Sequence, residues 1–193
     1  MTDGRRKLLR LIQRHCVEIA LPGTYFDLPD DGRTTEYLNI KRACMNRNVH
    51  GLLARELAVE LAHFEQVGAV AGIVLGGCHL ASILAAHAFH NVLLVRKTPK
   101  EHGRTPGFIE GYIKKGERVV LLDDIVAAGK TAVSAAGRLR DAGLDVRGAI
   151  AVIDKRRDKT ATLSDGTELR ALFTEAELVY DGKDPMTGEP LQE

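Results

Sequence analysis

Val119-Val120-Leu121-Leu122-Asp123-Asp124-Ile125-Val126-Ala127-Ala128-Gly129-Lys130-Thr131-Ala132 is the stretch on which the fold turns. Its opening residues are all apolar, the pattern of a strand covered on both faces in a parallel sheet. Two adjacent carboxylates follow, then a loop of small residues. A helix is predicted to open at about Thr131, with Ala132, Ala135, Ala136, Leu139 and Ala142 as its apolar set and Gly143 as its stop. Small side chains let a phosphate reach the loop's N–H groups, and a helix start adds partial positive charge and unpaired donors. Asp123 and Asp124 are placed to accept hydrogen bonds from vicinal sugar hydroxyls and to lie near a divalent cation. Strand, acids and loop together describe a cradle for a sugar phosphate. A triphosphate P-loop is excluded, because that motif needs a glycine five positions before Gly129, where Asp124 stands.

Working outward, the apolar runs Ala69 to Leu75, Asn91 to Val95, Arg118 to Leu122 and Val146 to Ile153 read as strands, with a helix over Leu80 to Ala88 between the first two. Strands alternating with helices predict the α/β class, with an open, mainly parallel sheet flanked by helices and right-handed crossovers. Upstream, Leu8, Ile12, Cys16 and Ile19 lie on one face of a predicted helix over Leu8 to Ile19, and Leu53, Leu57, Leu61 and Phe64 mark a longer one over Asn46 to Gln66. Between them, Pro22-Gly23 and Pro29-Asp30-Asp31-Gly32 bracket short extended pieces that lead to Tyr37-Leu38-Asn39-Ile40, a small β element outside the main core. One domain over 1–193 is expected. Within it, 1–45 holds the N-terminal helix and β element, 46–173 the core, and 174–193 a loosely attached tail.

Composition sets the outer limits. The 193 residues carry 27 Lys and Arg against 26 Asp and Glu, a formal charge of +1, so neither a polybasic nucleic-acid arm nor an acidic tail is expected to drive function. The longest apolar run, Val67 to Cys78, contains four glycines and falls short of the roughly 20 residues that span a membrane. No membrane partner is expected, and Arg10, Gln13, Arg14 and His15 interrupt any secretory apolar stretch. Cys16, Cys44 and Cys78 have no CxxC or CxxH spacing, which argues against a zinc site or a disulfide framework and suits a reducing cytoplasm.

In open parallel sheets ligands bind outside the carboxyl ends of the strands, so two further strand ends carry information. Gly76-Gly77 opens onto the helix that starts near Cys78-His79 and can hold a second anion through backbone N–H groups, although close strand–helix packing accounts for the two glycines equally well. Cys78 itself is read as a packing residue. After Val95 comes Arg96-Lys97-Thr98-Pro99-Lys100-Glu101-His102-Gly103-Arg104-Thr105-Pro106-Gly107, with four Lys or Arg, one acid, two prolines and two glycines. This composition suits a mobile cationic lid that closes over a polyanion.

These three segments, in this order, resemble the type I phosphoribosyltransferases, whose signature is the strand, paired acids and small-residue loop of Val119 to Ala132. The lid looks like that of the orotate phosphoribosyltransferases, and Gly32-Arg33-Thr34 with Tyr37-Leu38-Asn39-Ile40-Lys41 resembles that family's hood segment; the likeness covers roughly Phe26 to Asp158. It implies transfer of ribose 5-phosphate from 5-phosphoribosyl 1-pyrophosphate to a base nitrogen, most readily orotate, with release of pyrophosphate and help from Mg²⁺ held mainly by substrate. By position, Ala127, Ala128, Gly129, Lys130 and Thr131 hold the 5-phosphate, and Asp123 and Asp124 the ribose hydroxyls. Gly76, Gly77 and Arg96 contact pyrophosphate, while Lys97, Lys100 and His102 act across a homodimer interface. Tyr37 stacks on the base, and Lys155 or Arg156 faces its carboxylate.

The chain departs from the family pattern at Glu36, where a second aromatic is usual, at Lys155-Arg156-Arg157, where the family places a single arginine after Asp154, and at His79. These leave room for another acceptor, a purine or uracil. A regulator from a different class, sensing phosphoribosyl pyrophosphate and binding RNA or DNA, is disfavoured by the near-neutral charge and the lid cations.

Overall fold

The computed structural model describes residues 1–27, 32–88, 90–100 and 107–178. Helix α1 (Asp3–Cys16) starts at Thr2, whose side-chain oxygen accepts from the Arg5 N–H, and buries Leu8, Leu9, Ile12 and Cys16. The helix predicted to reach Ile19 ends three residues earlier. Val17 and Ile19 are β-branched and favour extended pairing, so the segment becomes β1 (Val17–Ile19), antiparallel to β4 (Glu36–Leu38). A second ribbon of β2 (Phe26–Asp27) and β3 (Arg33–Thr34) completes the small N-terminal β element.

The helix expected over Asn46 to Gln66 is the shorter α3 (His50–Leu61), and a separate short helix that was not expected, α2 (Lys41–Met45), precedes it. Asn46 lies between the two in a local turn, its Oδ1 accepting the Asn48 N–H at 2.9 Å, which competes with helical hydrogen bonding. Leu53, Leu57, Leu61 and Phe64 are buried as the spacing predicts, although Phe64 lies past the helix end.

The main sheet comprises β5 (Ala69–Ile73), β6 (Asn91–Lys100), β7 (Gly107–Glu110), β8 (Arg118–Val126), β9 (Asp145–Asp154) and β10 (Leu169–Thr174). Its order is β10-β9-β8-β5-β6-β7, parallel throughout except for the antiparallel edge strand β7. Helix α4 (Gly76–Ala88) connects β5 to β6, and α5 (Lys130–Asp141) connects β8 to β9. Alternate residues serve opposite faces. Val70, Val120, Leu122 and Ile150 join α1, α3 and α4 in one buried cluster, and Ala71, Val119, Leu121 and Ala151 join α5 in the other. Strands β7 and β10 were not expected, and β6 and β8 are longer than the apolar runs that announce them. The expected tail starts later than residue 174, since Thr174 closes β10 and a short 3₁₀ turn, Glu175–Leu178, buries Leu178. Residues 179–193 lie outside the described residues.

One buried carboxylate ties the N-terminal helix to the far edge of the sheet. Glu60, on α3 with a 7% exposed side chain, accepts from Arg5 Nη1 at 2.9 Å and from Arg170 Nε at 2.8 Å. Arg5 also donates to the carbonyls of Ala171 and Leu172 on β10. Replacing Glu60 by Gln keeps one acceptor oxygen but turns an amide NH₂ toward the other guanidinium and removes the charge, and hydrogen bonds to charged groups are worth roughly 1.5–3 kcal/mol. Glu60→Gln is expected to lower the thermal midpoint by about 4–8 °C; a shift within error of zero in a melting experiment removes this clasp from the stability of the fold.

Candidate active site

β5 continues through α4 to β6 on one side, whereas β8 lies on the other side of β5. The crevice between the carboxyl ends of β5 and β8 is therefore a topological switch point, the place where open α/β sheets bind ligands. Both glycine- and acid-bearing loops converge on it. A Cβ built on Gly76 falls 2.1 Å from Cγ of Asp124, and one on Gly77 falls 2.1 Å from the Leu122 carbonyl oxygen. Of the two explanations for Gly76-Gly77, close packing is thus realised, and it is what brings the α4 N-terminus against the acids.

Asp123 and Asp124 lie within β8, rather than in the loop after it, and Asp123 pairs in register with Ala151 of β9. Burial first, and then the adjacent Asp124 carboxylate, push the Asp123 carboxyl up to about 8. Asp124 has a cation at hand: Lys41 Nζ stands 3.9 Å from its Oδ2, so the hood helix α2 reaches the cradle. The loop that follows exposes Ala127 and Ala128, and Gly129 then adopts φ +76° as the residue before α5. At that left-handed angle a Cβ is strained, and it meets Leu163 at 3.0 Å. Lys130 and Thr131 are exposed on the first turn of α5. Together with Lys97, Ser134 and Arg138 they line a cavity of about 280 Å³.

The first residues of the cationic segment are not loop. Arg96 to Lys100 extend β6, and β7 pairs with them from the other side of residues 101–106. Residues 96–100 and 107–110 thus belong to a two-stranded arm, and Glu101 to Pro106, His102 among them, lie outside the described residues. Arg138 of α5 anchors the arm, donating to the carbonyls of Arg96 and Lys97 while its guanidinium covers the Phe108 ring at 3.9 Å. On the arm, Arg96 Nη1 and Lys100 Nζ both face Glu110, at 2.7 and 3.7 Å.

The expected base-facing cations separate. Arg156 is buried, and all five of its N–H donors are taken. Nε and Nη2 reach the Asp154 carboxylate at 3.1 and 3.0 Å, Nη1 reaches Thr160 Oγ1 and the Thr162 carbonyl, and Nη2 also reaches the Thr160 carbonyl. Burial works against the charge on Asp154, but the hydrogen bonds from Arg156 hold its carboxyl below the usual range. Arg156 is corrected from a base-binding residue to the clasp of the 154–162 loop. Lys155, in contrast, is held among the described residues only by a 2.7 Å ion pair to exposed Glu175, and exposed pairs of this kind exchange readily. With Ala127, Ala128, Thr160 and the clasped Arg156 it lines a cavity of about 530 Å³ beside the cradle loop.

In the hood, Tyr37 lies 5.6 Å from the Phe26 ring, tilted at 40°. The ring missing at Glu36 has this neighbour in β2 instead, and strand alternation turns Glu36 away from the face that carries Tyr37. Lys41, Phe26, Glu110 and Arg138 were missed as site residues. Only Lys41 and Phe26 stood in a segment that the sequence singled out. Cys78 is half-buried, its Sγ facing the Gly72 carbonyl at 3.9 Å, with its thiol pushed up by burial and by the charges of Asp123 and Glu110.

Residues 45–171 match the phosphoribosyl transferase domain family, and the chain belongs to that family. Within it, the chain is 34% identical over 178 residues to the orotate phosphoribosyltransferase of Pyrococcus furiosus, covering 90% of this chain and 94% of that one. Among solved structures it superposes on Mycobacterium tuberculosis orotate phosphoribosyltransferase with a TM-score of 0.73 and 27% identity, over 91% of this chain and 98% of that one. Leishmania donovani UMP synthase gives a TM-score of 0.75 at 28% identity, over 90% of this chain but only 37% of that longer one. Among the described residues no helix is long and apolar enough to cross a membrane.

The raised Asp123 carboxyl makes the stability of the unliganded protein depend on pH. Native protein keeps a proton that the unfolded chain releases near 3.8, so this contribution is full below about pH 4 and is lost as pH rises through about 8. Between about pH 5 and pH 9 the wild type is expected to lose more stability in urea melts than Asp123→Asn, whose amide does not titrate. Parallel pH profiles for the two proteins contradict the assignment.

Proposed function

We propose that this protein transfers ribose 5-phosphate from 5-phosphoribosyl 1-pyrophosphate to orotate, forming orotidine 5′-monophosphate and pyrophosphate. The observation that carries the reading is the switch-point crevice, where the Gly76-Gly77 helix start abuts Asp124 while the Ala127–Thr131 loop opens from the same strand. Displacement at the anomeric carbon passes through an oxocarbenium-like state while the leaving pyrophosphate gains negative charge. Cationic side chains and backbone donors at the leaving group therefore count most, and no nucleophilic side chain is required.

On this reading the N–H groups of Ala127 to Thr131 hold the 5-phosphate, with the Thr131 hydroxyl and Lys130 beside it. Asp123 and Asp124 accept from the ribose hydroxyls, and Gly76, Gly77 and Arg96 face the pyrophosphate. The base lies against Tyr37 and Phe26, with Lys155 available to its carboxylate once released from Glu175. Lys97, Lys100 and His102 complete the site of a second copy in a homodimer. Two adjacent carboxylates are hard donors that suit Mg²⁺ but are too few to cage it, so its remaining oxygens come from substrate and water. Bound there, Mg²⁺ supplies neutralising charge for the pyrophosphate. The cytoplasm is the proposed location, since all three cysteines are unpaired.

Asp123→Asn combined with Asp124→Asn is expected to abolish turnover with orotate while the far-ultraviolet dichroism stays unchanged; full activity in the double variant refutes the cradle. Calorimetric titration with orotate, in the presence of phosphoribosyl pyrophosphate and Mg²⁺, is expected to show binding. Binding of a purine or of uracil in its place reassigns the acceptor. For the lid, Asp124→Asn and Lys100→Ala proteins, each inactive, are expected to regain partial activity when unfolded and refolded together. Verified mixed dimers that stay inactive place the lid within its own subunit.

A further inference from the structure

Arg96 and Lys100, two of the three described cations that the proposed function assigns to pyrophosphate or to the lid, are both engaged by a single acid. The antiparallel register pairs Leu94 with Glu110 and Lys100 with Gly107, with an irregularity between Val95 and Lys100 where β6 holds the extra residues. Glu110 shares its face of the sheet with Leu94 and, two residues on, with Arg96. The bulge returns Lys100 to the same carboxylate. One oxygen, Oε1, accepts from Arg96 Nη1 at 2.7 Å, and the other, Oε2, faces Lys100 Nζ at 3.7 Å. A carboxylate bridging two cations through its two oxygens has the charge and spacing of one face of a phosphoryl group.

We infer that Glu110 is an internal stand-in for pyrophosphate: it holds Arg96 and Lys100 together until pyrophosphate takes its place, Arg96 then turning to the anion in its own subunit's site and Lys100 to the anion in the second copy's. The inference rests on the proposed role of these cations. Exposure makes the exchange feasible, since the side chains of Arg96, Lys100 and Glu110 are 39%, 42% and 37% accessible, and exposed pairs are readily broken. The hydrogen bond from Arg96 and the charge of Lys100 hold the Glu110 carboxyl below its usual range, so it competes as an anion at neutral pH. The arrangement also keeps the arm's charge low between turnovers. Without it, two cations a short distance apart repel each other and bind any polyanion, including the product pyrophosphate.

The test is calorimetric titration of inorganic pyrophosphate, in a magnesium-containing buffer, into wild type, Glu110→Gln and Glu110→Asp. Glu110→Thr, a strand former without the charge, serves as a second neutral variant should the amide disturb the fold. The neutral variants are expected to bind pyrophosphate about threefold to tenfold more tightly, with a lower KM for phosphoribosyl pyrophosphate and stronger inhibition by added pyrophosphate. Glu110→Asp is expected to stay near wild type. In an Arg96→Ala background the gain is expected to shrink, because one of the masked cations is already gone. If Arg96→Ala weakens pyrophosphate binding while the neutral Glu110 variants bind no tighter than wild type, Glu110 is not a competing anion. If neither Arg96→Ala nor Lys100→Ala changes pyrophosphate binding in folded protein, the role proposed for those cations fails first and this inference falls with it.

Discussion

Everything in the site depends on one absence of side chains. Gly72 on β5 and Gly77 on α4 approach so closely that a Cβ on Gly72 falls 2.3 Å from the Gly77 carbonyl oxygen, and a Cβ on Gly77 falls 2.1 Å from that of Leu122. Real contacts of this kind do not occur, so any larger residue forces α4 away from the sheet. The helix start and β8 would then separate, and with them the helix dipole and the Asp123-Asp124 pair. At the same edge Gly76 lies directly against Asp124, and burial leads the causes that raise the neighbouring Asp123 carboxyl. Packing and electrostatics here are one constraint seen from two sides.

In the unliganded molecule the charged groups of the crevice satisfy one another rather than facing solvent alone. Lys41 stands by Asp124, Glu110 by Arg96 and Lys100, Glu175 by Lys155, and a proton resides on Asp123 near neutral pH. Each is a weak or exchangeable neutralisation, and on the proposed function each gives way to the part of the substrate assigned to that residue. Arg156 is the contrast. Its bidentate pair with Asp154 is buried and supplemented by two threonine carbonyls and a hydroxyl, so releasing it leaves a buried charge unpaired, a loss far larger than breaking an exposed pair. Exchangeability therefore distinguishes binding residues from scaffold among chemically identical side chains.

The parallel core was legible because its strands are apolar on both faces: Ala69 to Ile73 is buried at every position, as is Gly148 to Asp154 of β9. The cradle was legible for a related reason, since Asp-Asp after such a run has no structural use that the strand requires. What escaped was decided by pairing partners distant in the chain. Arg96 to Lys100 reads as the start of a cationic lid until β7 supplies its backbone partners, and Leu169–Thr174 gains strand character from β9. The helix expected from Asn46 starts only at His50, because the side-chain hydrogen bond that holds Asn46 in a turn leaves no trace in hydrophobic periodicity.

The hood shows how a motif can depart from a family pattern and still be built. A second aromatic beside Tyr37 in the same strand points to the opposite face, since neighbouring residues of a strand alternate. Two rings on one face must come from different strands, and the ribbon of β2 and β3 delivers Phe26 to Tyr37 from outside β4. Glu36 then occupies the face turned from the rings, with its N–H held by Thr34 Oγ1. An anionic base lying against Tyr37 meets an aromatic pair and the Lys41 end of the hood, with the glutamate on the far side of the strand. Substitution at position 36 is thereby neutral toward the base for a geometric reason, and it carries no information about which base is bound.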